Sequence, residues 1–288
     1  ALRLDTGKTV HALGIAGTQS CGLMAAQFGS MVKRMHAGRA AQSGLYAAQL
    51  AGAGFTGIVN VFESEYGGFC TTFSRSHDGF NMAELTAGFG SVWQTMNVAL
   101  KFYSCVGSTH STLDAITELK AERAFKADDV AKIVVHGSQA TVNHVGWKYV
   151  PQGFTAAQLN LSYCVATLLI DGEVFVDQFT AAKLTDHARM ALAEKVSVAH
   201  APAITARGPK FRQMVQVEIF LKDGTVLRRT REMSRAKESF AAESAVVKKF
   251  ETLASHVLPA GQVRELCDSV LGLEKLDDAA RLARLLAA

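Results

Sequence analysis

The chain has 288 residues, a formal net charge of +4, 49% hydrophobic residues and 19% charged residues. This composition is typical of a globular protein and excludes a disordered chain or a coiled coil. No apolar run reaches the roughly 18 residues of a membrane-spanning helix, and the basic residues are scattered rather than grouped in blocks. We therefore expect one large domain or two modest ones, and neither a membrane nor a nucleic acid as partner.

The five cysteines are odd in number, and none forms a C-x-x-C pair. Such usage favours a reducing compartment and predicts a cytoplasmic protein. The histidines and cysteines also lack the spacing of metal ligands, so we predict no metal site.

The first third of the chain is predicted to be helical. Residues 8–53 carry small residues at three- and four-residue spacing, which let neighbouring helices approach closely, and the stretch ends at Gly52 to Gly54. A second helix is predicted at 110–124, where Leu113, Ile116 and Leu119 form an apolar stripe.

The pattern then changes to mixed α and β. Residues 133–135 form a β-branched run, and residues 215–221 alternate before an Asp223-Gly224 turn and a further strand, which predicts a hairpin. The remaining predicted helices cover 155–170, 180–194, 241–257, 261–271 and 276–287.

This order predicts a mainly α protein with an α+β insert. A helical domain would occupy residues 1–98, and a small α+β lid domain residues 99–235. The helices of 236–288 would then rejoin the helical domain.

Familiar catalytic signatures such as a Walker loop, H-E-x-x-H or G-x-S-x-G are missing from the sequence. A basic cluster at residues 33–41 instead places Lys33, His36 and Arg39 at the start of the small-residue helix. The free N–H groups of a helix start favour a carboxylate there, and a lysine stabilises charge that builds on it. The alternative is a solvated basic cap on a core helix.

A second cluster lies near the predicted domain boundary, where ligands often bind. Lys101 is a candidate anion ligand, Tyr103 a hydrogen-bond donor, and His110 a group that titrates near neutrality. The alternatives are a structural His110 and a buried, inert Cys105. A Cys105–His110 nucleophile lacks an identifiable third group.

Tyr163 is a third candidate, because it shares a helix face with Leu159 and Ala166. A tyrosine in this setting is either a core residue with a satisfied hydroxyl or a catalytic acid.

Several stretches, taken in order, resemble the MmgE/PrpD family, which includes 2-methylcitrate dehydratase, cis-aconitate decarboxylase and iminodisuccinate epimerase. The stretches are residues 11–17, 33–41, 54–57, 68–69, 101–110, 158–166 with 171–172, and 247–251.

The resemblance implies a helical domain plus an α+β lid with the active site between them, a homodimer, and no metal or organic cofactor. It carries over Lys33 and Lys101 as active-site lysines. His36, Tyr103, His110 and Tyr163 are weaker candidates.

The sequence also departs from the family pattern. Family members extend further at the N-terminus, and the resemblance assigns an active-site histidine to that extension, so we expect this chain to lack it. Val106 stands where decarboxylase-like members have histidine, which disfavours decarboxylation. Phe102 and Ser111 replace common prolines, and Asn160 replaces a common serine.

The leading hypothesis is a lyase that removes a proton α to a carboxylate of a small di- or tricarboxylic acid and then eliminates water, as 2-methylcitrate dehydratase does. An epimerase or a cis-aconitate decarboxylase on the same scaffold remains open. A truncated, non-catalytic carboxylate-binding fragment is the alternative from another class.

Overall fold

A computed structural model describes residues 2–20, 22–28, 30–74, 79–238 and 241–287. The chain divides into two compact units, residues 1–97 and residues 98–288.

Two helices form the centre of the first unit. These are α1 (Thr6–Gly17) and α2 (Val32–Gly52), and a short helix α3 (Phe69–Ser74) follows. Asp5 caps α1 by accepting a hydrogen bond from the Lys8 backbone N–H. The buried residues shared by α1 and α2 are small or aliphatic, and include Ile15, Ala47 and Ala51. The small residues of α2 therefore let the two helices approach closely, as their spacing predicts.

Two glycines allow the loop after α2 to lie directly against α1. A Cβ on Gly14 would come within 2.1 Å of the Ile58 carbonyl oxygen, and one on Gly57 within 2.3 Å of the His11 carbonyl oxygen. The Gly57 N–H also donates to His11 Nδ1 at 3.3 Å. Only residues without a side chain fit at these positions.

The prediction of one helical stretch over 8–53 was wrong in its middle. The chain leaves helix after Gly17 and re-enters it at Val32, with one short 3-10 turn, Met24–Phe28, in the described part of this interval. Gly22 has φ of +122°, a conformation that a helix excludes and that glycine adopts without strain.

A four-stranded sheet organises the second unit. Its strands are β1 (Val130–Gly137), β2 (Val196–His200), β3 (Val215–Leu221) and β4 (Val226–Arg231), in the order β2-β1-β3-β4. The β3–β4 hairpin agrees with the alternation and Asp-Gly turn of the sequence. The β1–β2 pair is parallel and the other pairs are antiparallel. A parallel pair needs a long connection, which here is helical.

Helices cover this sheet and build the main core. They are α4 (Gly107–Glu122), α5 (Gln139–Val145), α6 (Phe154–Leu159), α7 (Leu161–Asp171), α8 (Ala181–Leu184), α9 (His187–Glu194) and α10 (Pro202–Ala206). Ile133 of β1 pairs with Val196 and Ile219, and it lies in one buried cluster with Ile116 of α4 and Val165 of α7. The apolar stripe predicted for α4 lies in this core, and α7 is buried along most of its length.

The C-terminal part of the second unit is helical, as the sequence predicts. It contains α11 (Arg235–Glu238), α12 (Glu243–Ala254), α13 (Ala260–Leu271) and α14 (Ala280–Leu285). The last three have a small core of their own that includes Ala254, Val263 and Leu266. Whether these helices rejoin the first unit depends on how the two units sit together, so that part of the predicted domain layout stays a prediction.

The fold class is confirmed, because the chain is mainly helical with one small mixed sheet. Across the described ranges, no helix has the length and apolar character needed to cross a bilayer.

Candidate functional site

The basic cluster of residues 33–41 lies on the first turns of α2, as its sequence predicts. Lys33 and His36 are half-buried and Arg39 is exposed, with Arg39 donating to Gln42 Oε1 at 2.8 Å. Met31, the residue before α2, provides no side-chain cap, and the first turn of α2 contains no acidic residue. The free N–H groups of the first turn and the charge of Lys33 therefore give the start of α2 a positive potential, which favours binding of a carboxylate.

Lys101 lies in the second unit, on the loop that leads into α4. Its side chain is exposed, and its Cε lies 4.0 Å from the place of a Cβ on Gly107, the first residue of α4. Val106 provides no side-chain cap, and the first turn of α4 contains no acidic residue. Lys101 therefore extends over an uncapped helix start. Because Lys33 lies in the other unit, the prediction that the two lysines face one cleft stays a prediction.

A lysine that we did not single out from the sequence contacts Lys101. Lys249 of α12 is half-buried, and its Nζ donates to the Lys101 carbonyl oxygen at 2.7 Å. Burial lowers the pKa of Lys249, and the nearby Lys101 charge lowers it further. The sequence did contain a signal, since residues 247–251 are among the stretches that resemble the MmgE/PrpD family.

The Tyr103 hydroxyl is bound to a buried carboxylate, and a role for Tyr103 in binding a ligand stays a prediction. Its hydroxyl donates to Asp114 Oδ1 at 2.9 Å, and Asp114 Oδ2 accepts from the Arg235 backbone N–H at 2.9 Å. Burial and then the Asp114 charge raise the pKa of Tyr103. The Arg235 guanidinium lies 4.5 Å from the Phe102 ring centre. This network orients the segment that carries Lys101, and sequence reasoning missed it because Asp114 and Arg235 are 121 positions apart.

His110 and Cys105 are brought together inside the second unit. His110 is 2% exposed, its Nε2 has no hydrogen-bond partner among the described residues, and its ring meets that of Tyr103 edge-on at 5.1 Å. Cys105 Sγ lies 3.0 Å from Thr109 Oγ1. Burial opposes ionisation of the Cys105 thiol, but the neighbouring Cys164, His110 and Thr109 side chains lower its pKa below the ordinary value. Both side chains are buried, which favours the structural alternative for His110.

Tyr163 is fully buried in α7. Its hydroxyl donates to the Gln178 carbonyl oxygen at 3.2 Å, and its ring packs against that of Tyr149, with 4.7 Å between ring centres and an angle of 40° between ring planes. Burial raises the pKa of Tyr163 to about 12, so it stays protonated at neutral pH. These contacts are those of a core tyrosine with a satisfied hydroxyl, and a catalytic role for it stays a prediction.

Asn160 shows how one departure from the family pattern is accommodated. Its side-chain oxygen accepts from the Tyr163 N–H at 2.9 Å and so caps α7, while its Nδ2 donates to the Trp147 carbonyl oxygen at 2.6 Å. Asparagine and serine are comparable caps, so the exchange preserves the helix start.

In the described ranges, no three His, Cys, Asp or Glu side chains cluster in a way that would hold a metal ion. The predicted independence from metals and cofactors stays a prediction.

Comparison with known proteins identifies the family. The MmgE/PrpD C-terminal domain matches residues 103–274, and the MmgE/PrpD N-terminal domain matches residues 1–80. The chain belongs to the MmgE/PrpD family. The resemblance stated from the sequence motifs is thereby confirmed, and the two MmgE/PrpD domains fall into the two structural units, residues 1–97 and 98–288.

The curated relatives within the MmgE/PrpD family are named for one activity. A cis-aconitate decarboxylase-like protein, oryM, of Aspergillus oryzae is 32% identical over 99% of this chain and 61% of its own length. Cis-aconitate decarboxylase of Aspergillus terreus is 32% identical over 99% of this chain and 60% of its own length. The human cis-aconitate decarboxylase is 27% identical over 99% of this chain and 59% of its own length. The chain therefore spans about three fifths of the length of these relatives.

Proposed function

We propose that the protein is a lyase of small di- or tricarboxylic acids that acts at a carbon next to a carboxylate. The observation that carries this proposal is the 32% identity, over 99% of the chain, with the two Aspergillus proteins. It agrees with the family membership and with the placement of Lys33 and Lys101 at two uncapped helix starts.

The chemistry requires positive charge near the reacting carboxylate. When a proton leaves the carbon next to a carboxylate, the remaining electron pair spreads into that carboxylate and adds to its negative charge. When CO₂ leaves cis-aconitate, the electron pair reaches a remaining carboxylate through the adjacent C=C bond. A fixed ammonium group stabilises this charge more in the transition state than in the ground state, and so accelerates the reaction. Lys101 and Lys33 are the residues that we assign to this role.

We place decarboxylation of a cis-aconitate-like tricarboxylate first among the possible reactions, because the curated relatives carry that name. Elimination of water from a 2-methylcitrate-like acid is the second candidate, and Val106 favours it. Val106 is half-buried beside the start of α4, and its aliphatic side chain cannot deliver the proton that a histidine there would supply.

The test is turnover of cis-aconitate, citrate and 2-methylcitrate, followed as CO₂ release and as alkene absorbance. We expect Lys101→Met to lower kcat by about 10²-fold or more, in line with the loss of one charge-stabilising group. Lys248→Met, on the exposed side of α12, is the control and should retain full activity. A Lys101→Met protein as active as wild type would contradict the proposed role.

The resemblance assigns an acid–base histidine to a segment outside these 288 residues. General acid–base catalysis contributes about 10²–10⁴-fold, so we expect the 288-residue chain to be slower by that factor than any longer form encoded by an extended reading frame. Equal rates would shift the acid–base role to His36, His110 or Tyr163. A chain that binds citrate while every encoded form is inactive would support the non-catalytic alternative.

A cytoplasmic location, a homodimer and independence from metals complete the proposal. Sedimentation of the purified protein tests the dimer, and elemental analysis tests the metal. Stoichiometric zinc or iron would contradict the last point.

A further inference from the structure

A serine and a histidine from two different helices are hydrogen-bonded to each other beside the start of α4. Ser108, the second residue of α4, has its Oγ 3.0 Å from Nδ1 of His144, which lies in the last turn of α5. Both side chains are half-buried, so the fold holds them and a small ligand can still reach them. Such a pair can pass a proton, because the serine hydroxyl and a protonated imidazole nitrogen can each donate in this bond.

The two helices that carry this pair are fixed by contacts to one loop. In α5, the hydroxyls of Ser138 and Thr141 both donate to the Arg212 carbonyl oxygen, at 2.7 and 2.8 Å. The next residue of the loop, Gln213, has its Nε2 3.9 Å from the place of a Cβ on Gly107, the first residue of α4. The fold therefore fixes the positions from which the serine and the histidine meet, as a catalytic group requires.

The pair lies where the proposed reaction needs a proton. Lys101 extends over the residue before Ser108, with its Cε 4.0 Å from the place of a Gly107 Cβ. Both candidate reactions need an acid, because loss of water requires a proton on the leaving hydroxyl and decarboxylation requires a proton on the carbon that receives the electron pair. His110 and Tyr163 are only 2% and 0% exposed, whereas both members of the pair are half-buried.

We propose that Ser108 and His144 together form the general acid of the lyase, with Ser108 touching the substrate and His144 supplying the proton. This inference rests on the proposed function for the reaction. Removal of an α-hydrogen also needs a base, so the pair is compatible with the further histidine that the family resemblance assigns to a segment outside these 288 residues.

The proton moves in two linked steps. The protonated imidazole of His144 donates from Nδ1 to Ser108 Oγ, while the Ser108 hydroxyl gives its own proton to the substrate. In dehydration the C–O bond breaks and water leaves. In decarboxylation the C–C bond to the carboxylate breaks, CO₂ leaves, and a C–H bond forms. His144 ends neutral and regains its proton from solvent.

The first test is turnover of cis-aconitate, citrate and 2-methylcitrate by the 288-residue chain. His144→Gln keeps a hydrogen-bonding side chain but cannot carry the proton, so kcat should fall by about 10²-fold or more while KM stays unchanged. Ser108→Ala should give a similar loss, and Ser108→Thr, which keeps the hydroxyl, should retain most of the activity. Added imidazoles should restore kcat to a His144→Gly protein in the order of their acidity, which filling of the empty space would not produce.

His200→Gln is the matched control. His200 Nε2 lies 2.9 Å from Thr205 Oγ1, so this histidine is also bonded to a hydroxyl, but it is exposed at the end of β2. The variant should keep the kcat and KM of wild type. Thermal unfolding of each variant shows that it is folded.

The second test does not depend on turnover. Diethyl pyrocarbonate acylates accessible imidazoles, and mass spectrometry measures the rate at each histidine. Citrate should slow the modification of His144 and leave that of His200 unchanged, because only His144 would lie at the ligand.

The outcomes separate this inference from the proposed function. If wild type turns over an acid and the folded His144→Gln or Ser108→Ala protein is equally active, the assigned acid is wrong and the proposed function stands. The assignment is also wrong if imidazoles do not restore His144→Gly, or if citrate does not protect His144. If no encoded form turns over any of the three acids, the proposed lyase activity fails, and the role of the pair as its acid fails with it even where citrate protects His144.

Discussion

At the scale of single residues, Asp171 illustrates a side chain whose partners only the structure reveals. It is the last residue of α7, and its carboxylate accepts from Lys183 at 2.9 Å and from Arg189 at 3.1 Å. The Arg189 side chain is only 3% exposed, so its charge depends on Asp171 for compensation. The family resemblance includes residues 171–172, and this ion pair gives a physical reason for the aspartate.

We expect Asp171→Asn to lower the free energy of unfolding by about 3 kcal/mol, because it leaves the buried Arg189 charge uncompensated. Urea denaturation of both proteins at neutral pH measures this difference in the free energy of unfolding. The control is Asp177→Asn, which removes an exposed carboxylate and should cost less than about 0.5 kcal/mol. A loss as small as that of the control would mean that solvent compensates Arg189.

The same carboxylate gives a pH dependence. Burial opposes the charge of Asp171, but hydrogen bonds from Lys183 and Arg189 hold its pKa below the ordinary value of 3.8. A carboxylate with a lowered folded-state pKa stabilises the fold above its unfolded pKa, and this contribution is lost as the pH falls through the folded pKa. The difference between wild type and Asp171→Asn should therefore shrink only below about pH 4.

At the scale of elements, the close contact of α1 with the loop at 57–58 depends on two glycines, Gly14 and Gly57, which have no side chain. We expect Gly14→Ala to destabilise the protein by about 1–3 kcal/mol, because its Cβ would overlap the Ile58 backbone. Gly44→Ala is the matched control. It is an exposed position of α2 with no atom within 4 Å of the new Cβ, and should stabilise by up to about 1 kcal/mol. Thermal unfolding of both variants measures these changes in stability. A stable Gly14→Ala protein would contradict the close packing.

At the scale of the whole molecule, the two units differ in how much core they contain. The large buried cluster lies between residues 103 and 221, whereas the first unit has a small cluster around Ile15 and many exposed apolar side chains, such as Met31 and Leu45. We expect a fragment of residues 98–288 to unfold cooperatively and a fragment of residues 1–97 to associate. Circular dichroism on heating and sedimentation measure these properties. A monomeric, cooperatively folding 1–97 fragment would contradict this view.

The sequence by itself determined the elements whose patterns are local. The β3–β4 hairpin follows from alternation and an Asp-Gly turn, α4 and the C-terminal helices from their apolar periodicity, and the family from motifs in order. It could not determine the break between α1 and α2, because the small-residue pattern continues through it and the positive φ of Gly22 has no periodic signal. Strand β2 was also missed, since its place beside β1 depends on a parallel pairing across 63 positions, from Ile133 to Val196.

The candidate site likewise contains residues that the sequence predicted and contacts that only the structure revealed. Lys33 stood out as a basic residue at a predicted helix start, and Lys101 as a candidate anion ligand near the predicted domain boundary; both are local properties of the sequence. The Lys249 contact, the Asp114–Arg235 support of Tyr103 and the burial of His110 and Tyr163 were decided by tertiary structure. Each of these features joins residues that are far apart in the chain or depends on what packs around a side chain. Local residue spacing predicts secondary structure, but it does not predict which elements contact each other or which side chains they bury.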